Sequence, residues 1–218
     1  MRKMKDFKSR FIKEAIDCSA LSFGEFTLKS GRVSPYFFNA GRFYHGGSLS
    51  AVGHCYAEAI VSSGLKFDML FGPAYKGITL AAATAIALHD KYRIDAPYSY
   101  NRKEVKRHGE QGGFVGSPLS GKVLIVDDVI TAGTAVNEAI QMIHLLGEAI
   151  VVGVVIGLDR RERTGDERSA ARVIEKKHNI PVFSIINIDD IYDFLKSDSD
   201  MSKWAEPVRR YRKEFGVG

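Results

Sequence analysis

Two adjacent carboxylates, Asp127 and Asp128, end the apolar run Val123-Leu124-Ile125-Val126 and precede the loop Val129-Ile130-Thr131-Ala132-Gly133-Thr134-Ala135. The apolar run reads as a buried parallel strand, and the spacing from Ala135 to Leu146 reads as a helix. A helix start leaves backbone amides unpaired and carries the positive end of the helix dipole. The amides of Ala132, Gly133, Thr134 and Ala135, with the hydroxyls of Thr131 and Thr134, therefore suit a phosphate monoester. Gly133 permits a close backbone approach or a positive φ. Asp127 and Asp128 are acceptors matched to the vicinal hydroxyls of a ribose. The competing interpretation is a plain strand-to-helix turn in which Asp and Thr only cap the helix. The carboxylate pair alone does not separate the two; the whole run from 123 to 135 favours a ligand site.

Three other segments carry chemistry. Gly72-Pro73-Ala74-Tyr75-Lys76-Gly77 follows a short apolar strand and opens a helix, a second phosphate-competent turn to which Lys76 adds charge. An ordinary strand–helix loop is the alternative. Residues 101–116 hold Arg102, Lys103, Lys106, Arg107 and His108 among four glycines and lack the periodicity of a packed element. Composition alone reads as a solvated loop; the functional reading is a mobile lid that brings Arg102, Lys103, Lys106 and His108 onto a pyrophosphate and excludes water. Arg160 ends a further strand and offers a planar fork suited to a carboxylate, or a salt bridge with Asp159 or Glu162.

Alternating elements must hold these groups. Residues 7–20 have the spacing of an amphipathic helix, and 23–28 with 33–39 read as a hairpin around Lys29-Ser-Gly-Arg32. Helices over 48–63, 77–89, 134–146, 169–178 and 189–196 alternate with strands over 67–71, 97–100, 122–127, 149–158 and 182–187. The expected class is α/β: a mostly parallel twisted sheet with helices on both faces and an N-terminal helix and hairpin as a hood. The expected organisation is a single domain over 1–218, with the hood at 1–46, the core sheet at 67–187, the mobile loop at 101–116 and C-terminal helices over 188–218.

The 45% hydrophobic and 26% charged composition is that of an ordinary globular chain. No apolar run is long enough to cross a bilayer, and the N-terminus lacks the apolar segment of a secretory signal. Cys18 and Cys55 cannot make a disulfide framework or a zinc cage, which suits packing in a reducing cytoplasm. A net charge of +5 fits an enzyme of polyanionic small molecules and also weak nucleic-acid binding. Neither a Walker loop nor a dinucleotide fingerprint occurs.

The run 123–135 resembles the phosphoribosyl-pyrophosphate signature of type I phosphoribosyltransferases, and Gly72–Gly77 resembles their pyrophosphate loop, which often takes a strained backbone. Arg102-Lys-Glu-x-Lys-x-His108-Gly and the hairpin Phe26–Arg42 resemble the orotate phosphoribosyltransferases within that group. The resemblance runs from about Phe23 to Asn187. It implies transfer of ribose 5-phosphate from phosphoribosyl pyrophosphate to N1 of orotate, giving orotidine 5′-monophosphate and pyrophosphate. It implies Lys103 as the leading catalytic residue, with His108, Asp127 and Asp128. It further implies a phosphoribosyl site of Lys29, Tyr75, Lys76, Arg102, Lys103, Lys106, His108 and 127–135, including Val129 and Ile130. An orotate site of Lys29, Phe37, Phe38, Thr131 and Arg160 completes the set.

Magnesium held mainly by substrate, close to Asp127 and Asp128, is the implied cofactor. The implied assembly is a homodimer in which the loop crosses into the neighbouring site, working in the cytoplasm without nucleic acid or membrane. Two alternatives stand beside it: a purine phosphoribosyltransferase, and a non-catalytic nucleotide- or RNA-binding regulator on the same fold. Val33 and Val136 fall at motif positions that need only packing, residues 164–168 do not resemble the family, and the basic tail 209–213 reads as a solvated helix without a role.

Overall fold

The computed structural model describes Met4 and residues 6–103, 113–131, 133–145, 148–165 and 168–217. Strands β1 (Leu21–Thr27) and β2 (Val33–Phe38) form a separate antiparallel hairpin, with Leu21 opposite Phe38. The main sheet has six strands in the order β5-β4-β3-β6-β7-β8: β3 (Met69–Phe71), β4 (Tyr98–Asn101), β5 (Phe114–Gly116), β6 (Gly121–Val129), β7 (Ala149–Asp159) and β8 (Val182–Asn187). All neighbours are parallel except β5, which runs antiparallel to β4. The helices are α1 (Asp6–Asp17), α2 (Gly46–Ser63), α3 (Lys76–Tyr92), α4 (Thr134–Leu145), α5 (Ala170–His178), α6 (Ile188–Ser197) and α7 (Ala205–Phe215).

Alternation along β6 builds two cores, because successive side chains of a strand face opposite sides. Leu124 and Val126 join one cluster with Phe11, Ile12, Tyr56, Ile60 and Leu88 from α1, α2 and α3. Val123 and Ile125 join the other, with Val136, Ile140 and Ile143 of α4 and Ile174 of α5. Helix ends follow local chemistry: Gly64 closes α2 at φ 70°, and Asn187 caps α6 in a reciprocal box with Asp190. No described helix is long and apolar enough to cross a membrane.

Three expectations need correction. Residues 114–116, read as part of a polar stretch, form β5, and Gly116 meets the Tyr98 carbonyl at φ 108°, where a side chain would collide. The cause is pairing with β4 rather than any local pattern. Val33, expected to pack, is 55% exposed beside the hairpin turn, whereas Val136 is buried as expected. The basic tail is an amphipathic helix docked on the hood: Val208 and Tyr211 are buried, and Tyr211 packs edge-on against Tyr36 of β2 at 6.1 Å.

Candidate active site

Strands β3 and β6 are neighbours in the sheet, with Phe71 opposite Ile125, so the turns that follow them open side by side. In the first turn Gly72 and Gly77 touch backbone to backbone. A Cβ on Gly72 would lie 2.1 Å from the Gly77 carbonyl oxygen, and one on Gly77 would meet the Val126 carbonyl at 2.9 Å. Only glycine permits that approach. The Ala74–Tyr75 peptide is cis, and the Ala74 amide donates to Asn101 Oδ1 at 2.8 Å, which ties the turn to the end of β4. Lys76 begins α3, and its Nζ lies 2.7 Å from Asp128 Oδ2. That ion pair joins the two motifs that the sequence separates by about fifty positions.

Asp127 and Asp128 lie near the end of β6 and are each 7% exposed. The Asp128 amide donates to Asp127 Oδ1 at 2.9 Å, and the Asp127 carbonyl accepts from the Tyr56 hydroxyl of α2 at 2.7 Å. Burial, and then the adjacent Asp128 charge, push the Asp127 carboxyl up to about 7. Lys76 acts in the opposite sense. The pair thus presents one carboxylate already matched by a cation and one held close to its neutral form.

The second turn leads into α4 with Thr131, Thr134 and Ala135 exposed and Val129 and Ile130 partly or wholly buried; Ala132 lies outside the described residues. Gly133 has φ 75°, and a Cβ there would meet Ile174 Cδ1 at 3.0 Å. Its carbonyl accepts from both the amide and the side-chain Nδ2 of Asn137, each at 2.9 Å. Asn137 Oδ1 is itself engaged by Lys177 Nζ at 2.9 Å and by the His178 ring at 2.7 Å. The phosphate-competent loop is therefore braced from α5.

Lys103 Nζ stands 4.9 Å from the centroid of the exposed Tyr75 ring, so the start of the basic segment reaches the first turn. Arg102 is also described, and its amide bonds to the Gly113 carbonyl. Lys106 and His108 lie outside the described residues. Lys29 is exposed in the hairpin turn. Phe37 is 43% exposed beside Phe26, whereas Phe38 is buried against Phe11 and Phe43, the outcome of strand alternation. Phe38 can offer a ligand its main chain and not its ring. Arg160, just past β7, lies over the Tyr36 ring at 4.3 Å and donates to Ser34 Oγ at 3.1 Å. It also pairs with Glu162, as the salt-bridge alternative had it, and that contact leaves part of the fork uncommitted.

Sequence reasoning overlooked Asn101, Asn137, Tyr56 and Tyr211, whereas it had offered Glu162 as a salt-bridge partner of Arg160. Asn137 had a legible signal, since it stands four residues after Gly133 at helical spacing. The others act across the fold and left none.

Residues 43–186 match the family model described as a phosphoribosyl transferase domain. An orotate phosphoribosyltransferase of Pseudomonas fluorescens (strain SBW25) is 53% identical over 214 residues, covering 98% of this chain and all of that protein. One of Shigella flexneri serotype 5b is 52% identical over the same length and coverage. The crystal structure of an orotate phosphoribosyltransferase from Francisella tularensis superposes with a TM-score of 0.83 at 42% identity, covering 95% of this chain and 99% of that one.

Proposed function

The chain belongs to the orotate phosphoribosyltransferases of the phosphoribosyltransferase family, and from that premise we propose how its residues carry the reaction. It is a pentosyltransferase of pyrimidine biosynthesis that uses phosphoribosyl pyrophosphate and orotate. The observation that supports the residue assignment is the Lys76–Asp128 ion pair, because it joins the Gly72–Gly77 turn to the carboxylate pair of β6.

The bond from C1 of the ribose to pyrophosphate breaks with its electron pair leaving on oxygen, and N1 of orotate forms the new bond as its proton departs. The sugar is then oxocarbenium-like, and negative charge grows on the leaving group. Lys76, Arg102, Lys103, Lys106 and His108 stabilise that charge, which is where stabilisation raises the rate. Lys103 or His108 supplies a proton to the departing oxygen. Asp127 and Asp128 accept from the ribose hydroxyls, while Thr131–Ala135 fix the 5-phosphate so that C1 swings about a held point. Lys29, the face of Phe37, the main chain of Phe38, Thr131 and Arg160 hold orotate.

The described residues include no group of three side chains able to cage a metal, and Asp128 is already engaged by Lys76. That donor set fits Mg²⁺ held largely by substrate oxygens close to Asp127 and Asp128. The bound ion would neutralise pyrophosphate charge.

The protein works as a cytoplasmic homodimer in which residues 101–116 close on the partner's pocket. Mixing inactive Lys103→Ala and Asp128→Asn chains should then restore activity, because mixed dimers carry one intact site. Failure of mixed dimers to recover any activity would rule out a shared site. The assignment of activity is tested by following orotate absorbance with phosphoribosyl pyrophosphate and magnesium, with uracil and hypoxanthine as controls. Consumption of hypoxanthine instead of orotate would overturn it.

A further inference from the structure

The acceptor arginine does not stand alone. Glu162 Oε1 accepts from both Nε and Nη2 of Arg160 at 2.6 Å and from the Tyr211 hydroxyl at 2.9 Å. Arg32 Nη1 lies 3.6 Å from Glu162 Oε2. With Tyr36 under the guanidinium plane and Ser34 on Nη2, every edge but that of Nη1 is engaged by described residues. Arg160 and Glu162 side chains are only 12% and 17% exposed.

The backbone around Glu162 is stitched to the end of the chain. Glu162 bridges Gly216, the Arg163 amide donates to the Phe215 carbonyl at 2.8 Å, and the Val217 amide donates to the Arg161 carbonyl at 2.8 Å. Arg161 and Arg212 both pair with Asp189 of α6. Helix α7 thus delivers Tyr211 and fixes the loop that carries Glu162.

We propose that Glu162, held by Tyr211 of α7, is a positioning residue that aims the free Nη1 edge of Arg160 at the carboxylate of orotate. The proposal rests on the reading of Arg160 as the orotate-carboxylate ligand. An unrestrained arginine must give up considerable rotamer freedom to present a planar fork. Here that cost is met within the folded chain, before substrate arrives. The carboxylate of Glu162 would by itself repel that of orotate, and Arg32 and Tyr211 draw its charge away from Nη1. This gives the basic C-terminal helix a part in base recognition.

Steady-state kinetics on Glu162→Ala, Glu162→Gln, Tyr211→Phe, Arg160→Ala and the Arg160→Ala/Glu162→Ala double variant test it, with thermal melting to confirm folding. Glu162→Ala is expected to raise the orotate KM about tenfold, the scale of a lost hydrogen bond to a charged group, with the KM for phosphoribosyl pyrophosphate nearly unchanged. Glu162→Gln keeps the acceptor and should recover much of the loss. Tyr211→Phe, which removes one donor only, should give a smaller rise and keeps the proposal testable if Glu162→Ala fails to fold. The double variant should be no worse than Arg160→Ala, because Glu162 acts through Arg160. A normal or lowered orotate KM in Glu162→Ala and Tyr211→Phe, beside a raised one in Arg160→Ala, would overturn the positioning role and leave the Arg160 assignment standing. An unchanged orotate KM in Arg160→Ala would overturn both.

Discussion

Substituting Asp127 with Asn should stabilise the protein while weakening its hold on phosphoribosyl pyrophosphate. The folded-state carboxyl titrates at about 7 against 3.8 for an unburied aspartate, so the native chain keeps a proton that the unfolded chain releases. Stability from that proton is complete below the unfolded value and is lost as pH rises through the folded one. At about 1.4 kcal/mol per unit, the separation amounts to a ceiling of roughly 4 kcal/mol. Asn does not titrate, and its Oδ1 can still accept the Asp128 amide that Asp127 Oδ1 accepts at 2.9 Å. Realising a third of that ceiling would raise the melting midpoint by about 3–5 °C in a chain of this length. The assay is differential scanning calorimetry of the substrate-free protein at a series of pH values from 5 to 8.5. The gap between variant and parent should widen with pH and level off above neutrality. A gap that is constant across the series, or one favouring the parent at alkaline pH, would refute the idea that burial and Asp128 hold a proton on this residue. Titration calorimetry with phosphoribosyl pyrophosphate should show weaker binding of the variant in the same samples.

Lys76→Met should lower the melting midpoint, since it leaves the 10%-exposed Asp128 carboxylate without that cation although the lysine itself is 47% exposed, and raise the KM for phosphoribosyl pyrophosphate at least severalfold. Gly133→Ala should cost about 1–2 kcal/mol in denaturant unfolding for its left-handed backbone, with added crowding against Ile174. Asn137→Ala should raise the KM for phosphoribosyl pyrophosphate and leave that for orotate alone, because it removes the side-chain donor to the Gly133 carbonyl and the link to α5; equal changes in both would deny a local effect. Lys103→Ala should lower turnover by roughly two to four decades with an unchanged melting curve, as its described contact is the exposed Tyr75 ring.

Much of this was legible because the sheet follows strong local patterns. Val123–Val126 could only be a buried strand, and Gly64, Ser169 and Asn187 mark helix ends by conformations and caps that short segments dictate. The carboxylate pair and both turns were readable for the same reason: each lies within one strand–loop–helix unit. Illegible parts depend on partners far along the chain. Strand β5 exists through pairing with β4, and nothing periodic in Phe114–Gly116 announces it. Which phenylalanine of Phe37-Phe38 faces solvent is set by register with β1, and Phe38 consequently went to the core. The tail looked solvated because its cations dominate its composition, whereas Val208 and Tyr211 decide where it docks.

The β4–β5 pairing also says where this scaffold tolerates change. Asn101 stands opposite Phe114, and the Arg102 amide bonds to the Gly113 carbonyl, so the segment between departs from and returns to a single clasp. The entropic cost of joining two fixed chain ends grows only with the logarithm of the number of residues between them, about 0.6 kcal/mol per doubling. Longer or shorter inserts could be grafted between 103 and 113 with little effect on folding, while the reach of the basic residues they carry would change directly. Adaptation of this enzyme to a different leaving group or neighbour can thus begin at that clasp without disturbing the pocket floor.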